Sequence, residues 1–104
     1  MTITSRPFAV EVTSGASGLV VRLAGELDLE TVSELSARFV GLDANIVVDL
    51  ADLTFIDATG ISGLVSAHER TVKIGRSFAL RSPTAQVAKV LSMTGVDQVL
   101  TVEP

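Results

Sequence analysis

The 104-residue chain has no cysteine, no tryptophan and no tyrosine, and only four phenylalanines and one histidine. Without cysteine there is no disulfide framework, which fits a reducing cytoplasm. Without tyrosine or tryptophan there is no aromatic platform on which bases could stack. Basic residues are also in deficit: eight Lys and Arg face twelve Asp and Glu, for a formal net charge of −4. A protein that tracks nucleic-acid phosphates needs a basic face, so direct nucleic-acid binding falls outside the reading. No apolar run approaches the roughly 20 residues that span a bilayer, so no membrane insertion is expected. Met1 to Pro7 lacks the basic start, apolar core and small-residue cleavage site of a secretory leader. Neither a phosphate loop ending in Gly-Lys-Ser/Thr nor a GxGxxG turn is present, and no cofactor is expected.

What the chain has is an apolar fraction of 47% with charges scattered through it, over a length that suits one domain, residues 1–104, with a single core. Phe8, Val10 and Val12 alternate with Ala9, Glu11 and Thr13, the pattern of a half-buried strand. Ser14 to Gly18 reads as a hairpin turn, and Leu19, Val21 and Leu23 form a second, antiparallel strand. Gly25-Glu26-Leu27-Asp28 leaves that strand, and Val32, Leu35 and Phe39 follow at helical spacing with Gly41 as the stop. Ile46 to Leu50 is nearly continuous apolar sequence, as in strands covered on both faces or central in a parallel sheet. Ile61, Leu64, Val65, His68 and Val72 give the core stripe of a helix ending near Gly75. A short strand at Phe78 to Leu80 precedes Ser82-Pro83, read as N-cap and first helical residue. Val87, Val90 and Leu91 line that helix, Gly95 closes it, and Val99 to Val102 make a last strand.

Two strands followed by three helix-strand crossovers predict an α/β fold with a mostly parallel sheet of about five strands. The first strand is antiparallel, and there are three or more helices. Parallel strands joined by helices gather every strand-to-helix loop on one edge, where such folds bind ligands. The loops at 25–30, 51–58 and 81–84 should meet there, bringing Glu26 and Asp28 toward Asp57 and Thr59.

The densest information lies in Leu53-Thr-Phe-Ile-Asp57-Ala58-Thr59-Gly60-Ile61-Ser62-Gly63-Leu64. Asp57 has the position of an N-cap, and its charge complements the positive end of a helix dipole. Each glycine within a helix costs roughly 1 kcal/mol against alanine, so Gly60 and Gly63 in one turn call for a reason. Close packing on the sheet and close approach by a second molecule satisfy that requirement equally well. Catalysis and metal binding fare poorly. Glu26, Asp28, Asp49, Asp52 and Asp57 form no tight acidic triplet, and His68 lies on an apolar stripe with no cysteine or second histidine to join it.

The order and spacing of Gly25-Glu26-Leu27-Asp28, the Leu53 to Leu64 segment, Ser82-Pro83 and Met93-Thr-Gly95-Val96 resemble the STAS domain of bacterial anti-sigma factor antagonists. The resemblance implies a non-enzymatic regulator. Its partner would be an anti-sigma factor that is also a serine kinase with a histidine-kinase-like ATPase fold, and binding would release the sigma factor. It implies a contact surface made by Glu26, Asp28, Asp57, Ala58, Thr59, Gly60, Ile61, Ser62 and Gly63, extended along the helix by Ser66 and Glu69. In the family the kinase phosphorylates the residue after the Asp of a DSSG or DSTG motif, and the phosphorylated antagonist lets go. Here that residue is Ala58, which has no hydroxyl. Thr59 follows, rotated by about 100° around the helix. The resemblance therefore leaves three readings: a chain not switched off by the usual route, a switch moved to Thr59, or an Ala introduced in place of a phosphorylatable residue. The same domain serves elsewhere as an accessory subunit of ABC-type lipid transporters, and a small-molecule sensor using the strand-end edge is a further alternative. The oligomeric state is left open.

Overall fold

The computed structural model describes residues 7–104, so most of the opening stretch read above as non-targeting lies outside the described residues. Strand β1, Phe8–Ser14, turns into β2, Leu19–Leu27, and pairs with it antiparallel. Helix α1, Val32–Phe39, leads to β3, Ile46–Ile56. Helix α2, Ala58–Lys73, leads to β4, Phe78–Arg81. Helix α3, Ala85–Met93, and a 3-10 turn at Val96–Gln98 lead to β5, Thr101–Glu103. The sheet order is β1-β2-β3-β4-β5, and every pair after the first is parallel.

All three crossovers step in the same direction, so the right-handed rule puts their helices on one side of the sheet. The core lies there. Val21, Leu23, Val48, Leu50 and Leu80 from the strands meet Leu35, Phe39, Leu64, Val87 and Leu91 from the helices. Phe39 and Phe78 pack as a tilted pair with centroids 6.1 Å apart, and His68 meets Phe78 edge-on at 5.6 Å. The apolar run of β3 is thus central but has one face without a helix, where Val47 is half-buried.

On that bare face one row crosses all five strands. Glu11 stands opposite Arg22, Arg22 opposite Asp49, Asp49 opposite Arg81 and Arg81 opposite Glu103, so the sign of the charge alternates across the sheet. Opposite charges on facing positions favour this register, whereas like charges there would oppose it. Asp49 is the pivot. Its Oδ2 accepts from Arg81 Nη2 at 2.9 Å and lies 3.9 Å from Arg22 Nε, while Oδ1 accepts from the Ala51 amide at 2.9 Å. Burial of this carboxyl, in a residue only 7% exposed, pushes its pKa up. The amide hydrogen bond and the two guanidinium groups outweigh that and hold it below the usual aspartate value.

Several element boundaries differ from the sequence reading for local reasons. Strand β2 continues through Gly25 to Leu27, with Gly25 at φ +95° beside register shifts in its pairing with β3. A glycine at positive φ here marks a bulge rather than a strand end. Strand β3 runs on to Ile56, well beyond β4. Ser82 and Pro83 precede α3: Ser82 takes φ +56° and donates its amide to Glu103 O, and Thr84 is the N-cap, accepting from Val87 N. The stripe of α2 ends at Thr71, not Val72. Val72 is 50% exposed, and Thr71 takes the buried position with its hydroxyl satisfied by donating to Ala67 O within the helix. The last strand starts at Thr101, after the 3-10 turn.

Candidate functional site

The carboxyl ends of β2 and β3 are joined. Leu27 pairs with Ile56, the Asp57 amide donates to Leu27 O at 3.3 Å, and Thr54 Oγ1 donates to Gly25 O at 3.0 Å. From this junction α2 starts. Asp57 is its N-cap in extended backbone, and Oδ1 accepts from the Gly60 amide at 2.9 Å. Ala58 is exposed on the first turn and Thr59 is half-buried, so the two consecutive side chains face different surroundings. No other group among the described residues bonds to the Thr59 hydroxyl.

The structure gives both glycines a packing role. A Cβ on Gly60 would lie 2.5 Å from Leu27 O and 2.8 Å from Ile56 Cγ1, and one on Gly63 would lie 2.5 Å from Val32 Cγ2. Both glycines face the protein's own interior, where they let α2 sit close to β2 and α1. Their bareness serves this packing. Ile61 is buried as well, so Gly60 and Ile61 support the surface from below, while Gly63 is half-buried against α1. Ser62, Ser66 and Glu69 are exposed along α2.

The neighbouring loop is built around Asp28. Its Oδ1 accepts from the amides of Glu30 at 3.0 Å and Thr31 at 3.2 Å, and Thr31 Oγ1 accepts from the Asp28 amide at 3.0 Å while donating to Glu26 O at 2.7 Å. Asp28 and Thr31 are buried, so Asp28 shapes the loop from within. The structure thus brings Glu26 and the Asp28 loop beside the α2 start, with Ala58 and Ser62 outermost. Two neighbours escaped the sequence reading: Leu29, 74% exposed at the loop tip, and Phe55, 38% exposed at the end of β3. Their signal was weak, since Leu29 falls on no stripe and Phe55 sits inside an apolar run.

A family model described as "Mlab, STAS domain" matches residues 10–102. The chain belongs to the STAS domain family. Among similar proteins, an anti-sigma F factor antagonist of Lysinibacillus sphaericus is 33% identical over 85 residues, covering 75% of this chain and 71% of the relative. An anti-sigma-B factor antagonist of Bacillus subtilis (strain 168) is 24% identical over 94 residues, covering 88% and 86%. The crystal structure of an anti-sigma factor antagonist from Mycobacterium paratuberculosis superposes with a TM-score of 0.81 at 20% identity, covering 94% of this chain and 86% of that one. That last likeness is one of fold. No helix among the described residues of this STAS domain is long and apolar enough to cross a membrane.

Proposed function

We propose that this STAS domain is a non-enzymatic regulator that binds an anti-sigma factor kinase and thereby frees a sigma factor, acting in the cytoplasm. The observation that carries the reading is the exposed first turn of α2 at Ala58 and Ser62, locked beside the Asp28 loop by the Leu27–Asp57 hydrogen bond. Two relatives named as antagonists of anti-sigma factors support it. Its contacts are Glu26, Asp57, Ala58, Thr59, Ser62 and Gly63 with Leu29 and Phe55 at the rim, over a base of Asp28, Gly60 and Ile61.

Ala58 keeps the charge and approximate size of an unphosphorylated serine, so binding is retained. The switch is what changes. A phosphoryl group adds roughly −1.5 to −2 charges, which a helix N-terminus tolerates and an acidic or desolvated interface does not. With no hydroxyl at 58, this chain stays bound unless Thr59 is modified, and the half-buried Thr59 presents its hydroxyl to a kinase less directly.

The test is capture of the tagged chain's partners with ATP or ADP present, with mass spectrometry of the partners and of Thr59. Purified partner is then mixed with the chain and with Ala58→Ser. Recovery of a kinase that phosphorylates and releases only Ala58→Ser supports the whole reading. Phosphate on Thr59 moves the switch by one residue. Recovery of a transporter ATPase turns the same surface into that of an accessory subunit, and the absence of any ATPase removes the antagonist reading.

A further inference from the structure

Strand β1 is the outer edge of the sheet, and nothing in its sequence blunts it. Its seven residues contain no proline and no glycine, carry one charge, and keep an unbroken register with β2. Natural edges are normally protected by such breakers, by lysines or by bulges, because unpaired amides and carbonyls invite another strand. The inward bonds run through the odd-numbered residues: Glu26 N donates to Pro7 O at one end and Gly15 N to Gly18 O at the other. In an antiparallel ladder such pairs alternate, so the amides and carbonyls of Phe8, Val10 and Val12 point outward. Among the described residues, one side chain hydrogen-bonds to this edge. Arg38 of α1 donates from Nη1 to Val10 O at 2.9 Å.

Beside Arg38 lies a notch of about 270 Å³ lined by Val10, Glu34, Ala37 and Arg38. Glu34 and Arg38 are one helical turn apart, both exposed, and of opposite sign. We infer that β1 and the adjoining face of α1 form a two-fold interface with a second copy of this chain, centred on Val10.

The chemistry is self-complementary. With Val10 opposite Val10 of the second copy, Phe8 falls opposite Val12 and the reverse, so all three outward residues exchange backbone hydrogen bonds. Their half-buried side chains meet on the helix side. On the bare face Ala9 falls opposite Glu11, which avoids a glutamate pair. The same two-fold runs the two α1 helices antiparallel across the notch, setting Glu34 of each copy against Arg38 of the other. Arg38 then exchanges the Val10 carbonyl for a carboxylate, and that carbonyl passes to an amide of the second copy. Helix α2 lies over β3 and β4, away from this edge, so both partner-binding helix starts stay open.

The test is sedimentation velocity of the full chain from micromolar to millimolar concentration. A reversible monomer–dimer equilibrium is expected. Val10→Pro deletes an outward amide while sparing the ladder with β2, and should weaken the dimer at least about tenfold with unchanged circular dichroism. Glu34 and Arg38 are exposed, and within one copy Arg38→Glu loses only its hydrogen bond to Val10 O, so each variant should fold normally. Each alone should be monomeric, and an equal mixture of the two should recover a heterodimer. A chain that stays monomeric at every concentration overturns the proposal, as does a dimer indifferent to Val10→Pro or to the charge exchange.

Discussion

Arg81 on β4 and Asp49 on β3 stand opposite each other across a parallel strand pair, and Arg81 Nη2 donates to Asp49 Oδ2 at 2.9 Å. With Arg22 on the other flank, the carboxylate is clasped between two cations at the centre of the sheet. Asp49→Asn keeps the shape and removes the charge, and should cost about 1–2 kcal/mol in urea unfolding at neutral pH.

The same carboxyl makes stability depend on pH. Its pKa is lowered in the folded chain, so its contribution is complete above the unfolded-state value of about 3.9 and disappears as the pH falls through the lower folded-state value. Urea midpoints measured from neutral pH down to about pH 3 should fall for the unaltered chain and fall less for Asp49→Asn.

Gly60→Ala and Gly63→Ala should differ in kind. At Gly60 the added methyl meets the backbone oxygen of Leu27, which cannot rotate away, so a net loss of about 2–3 kcal/mol is expected despite the helix propensity gained. At Gly63 it meets the end of the Val32 side chain, and Val32→Ala should restore much of the loss. A double-mutant cycle on Gly63 and Val32 should therefore show strong coupling, and additivity would contradict this packing.

Ala58→Glu separates stability from binding. The residue is exposed on the first turn of α2, where an acidic side chain is favourable by about 0.3–1 kcal/mol. Thermal unfolding should thus be unchanged or slightly higher, while affinity for the captured kinase should fall at least about tenfold, or about 1.4 kcal/mol. Equal binding by both forms would move the interface off the α2 start.

His68 offers a gain. Its Nδ1 is buried with no hydrogen-bond partner among the described residues, and its ring lies edge-on to Phe78. His68→Leu removes an unpaired nitrogen from an apolar setting and should leave the midpoint unchanged or raise stability by up to about 1 kcal/mol. A clear loss would mean the imidazole contributes through its edge-on contact with Phe78.

Periodicity made most of this fold legible. The alternation at Phe8, Val10 and Val12 and the stripe at Leu35 and Phe39 mark faces that the core uses, and Gly75 and Gly95 stop helices with φ near +80°, while Gly41, also near +80°, sits in the turn after Val40 has left α1. The ends were harder to read. A bulge at Gly25 and the extension of β3 past the end of β4 depend on pairing partners distant in sequence, and Pro83 suits either a helix start or the extended segment that precedes one. At the site, the N-cap role of Asp57 is local chemistry and was readable. Whether Gly60 faced inward or outward depended on where Leu27 would lie, a fact no local pattern carries. The alternating charges across the sheet escaped notice for the same reason, since Glu11, Arg22, Asp49, Arg81 and Glu103 are neighbours only once four registers are set.

The contact between Gly60 and Leu27 has a consequence for association rates. Because the start of α2 touches the backbone of β2 with no side chain between them, the Asp28 loop and the Ala58 turn cannot shift independently. The partner proposed for this surface would meet them as one preformed body, with little ordering to complete after first touch. Encounter should then resemble rigid docking, and changes along this surface should alter how long a complex lasts far more than how fast it forms.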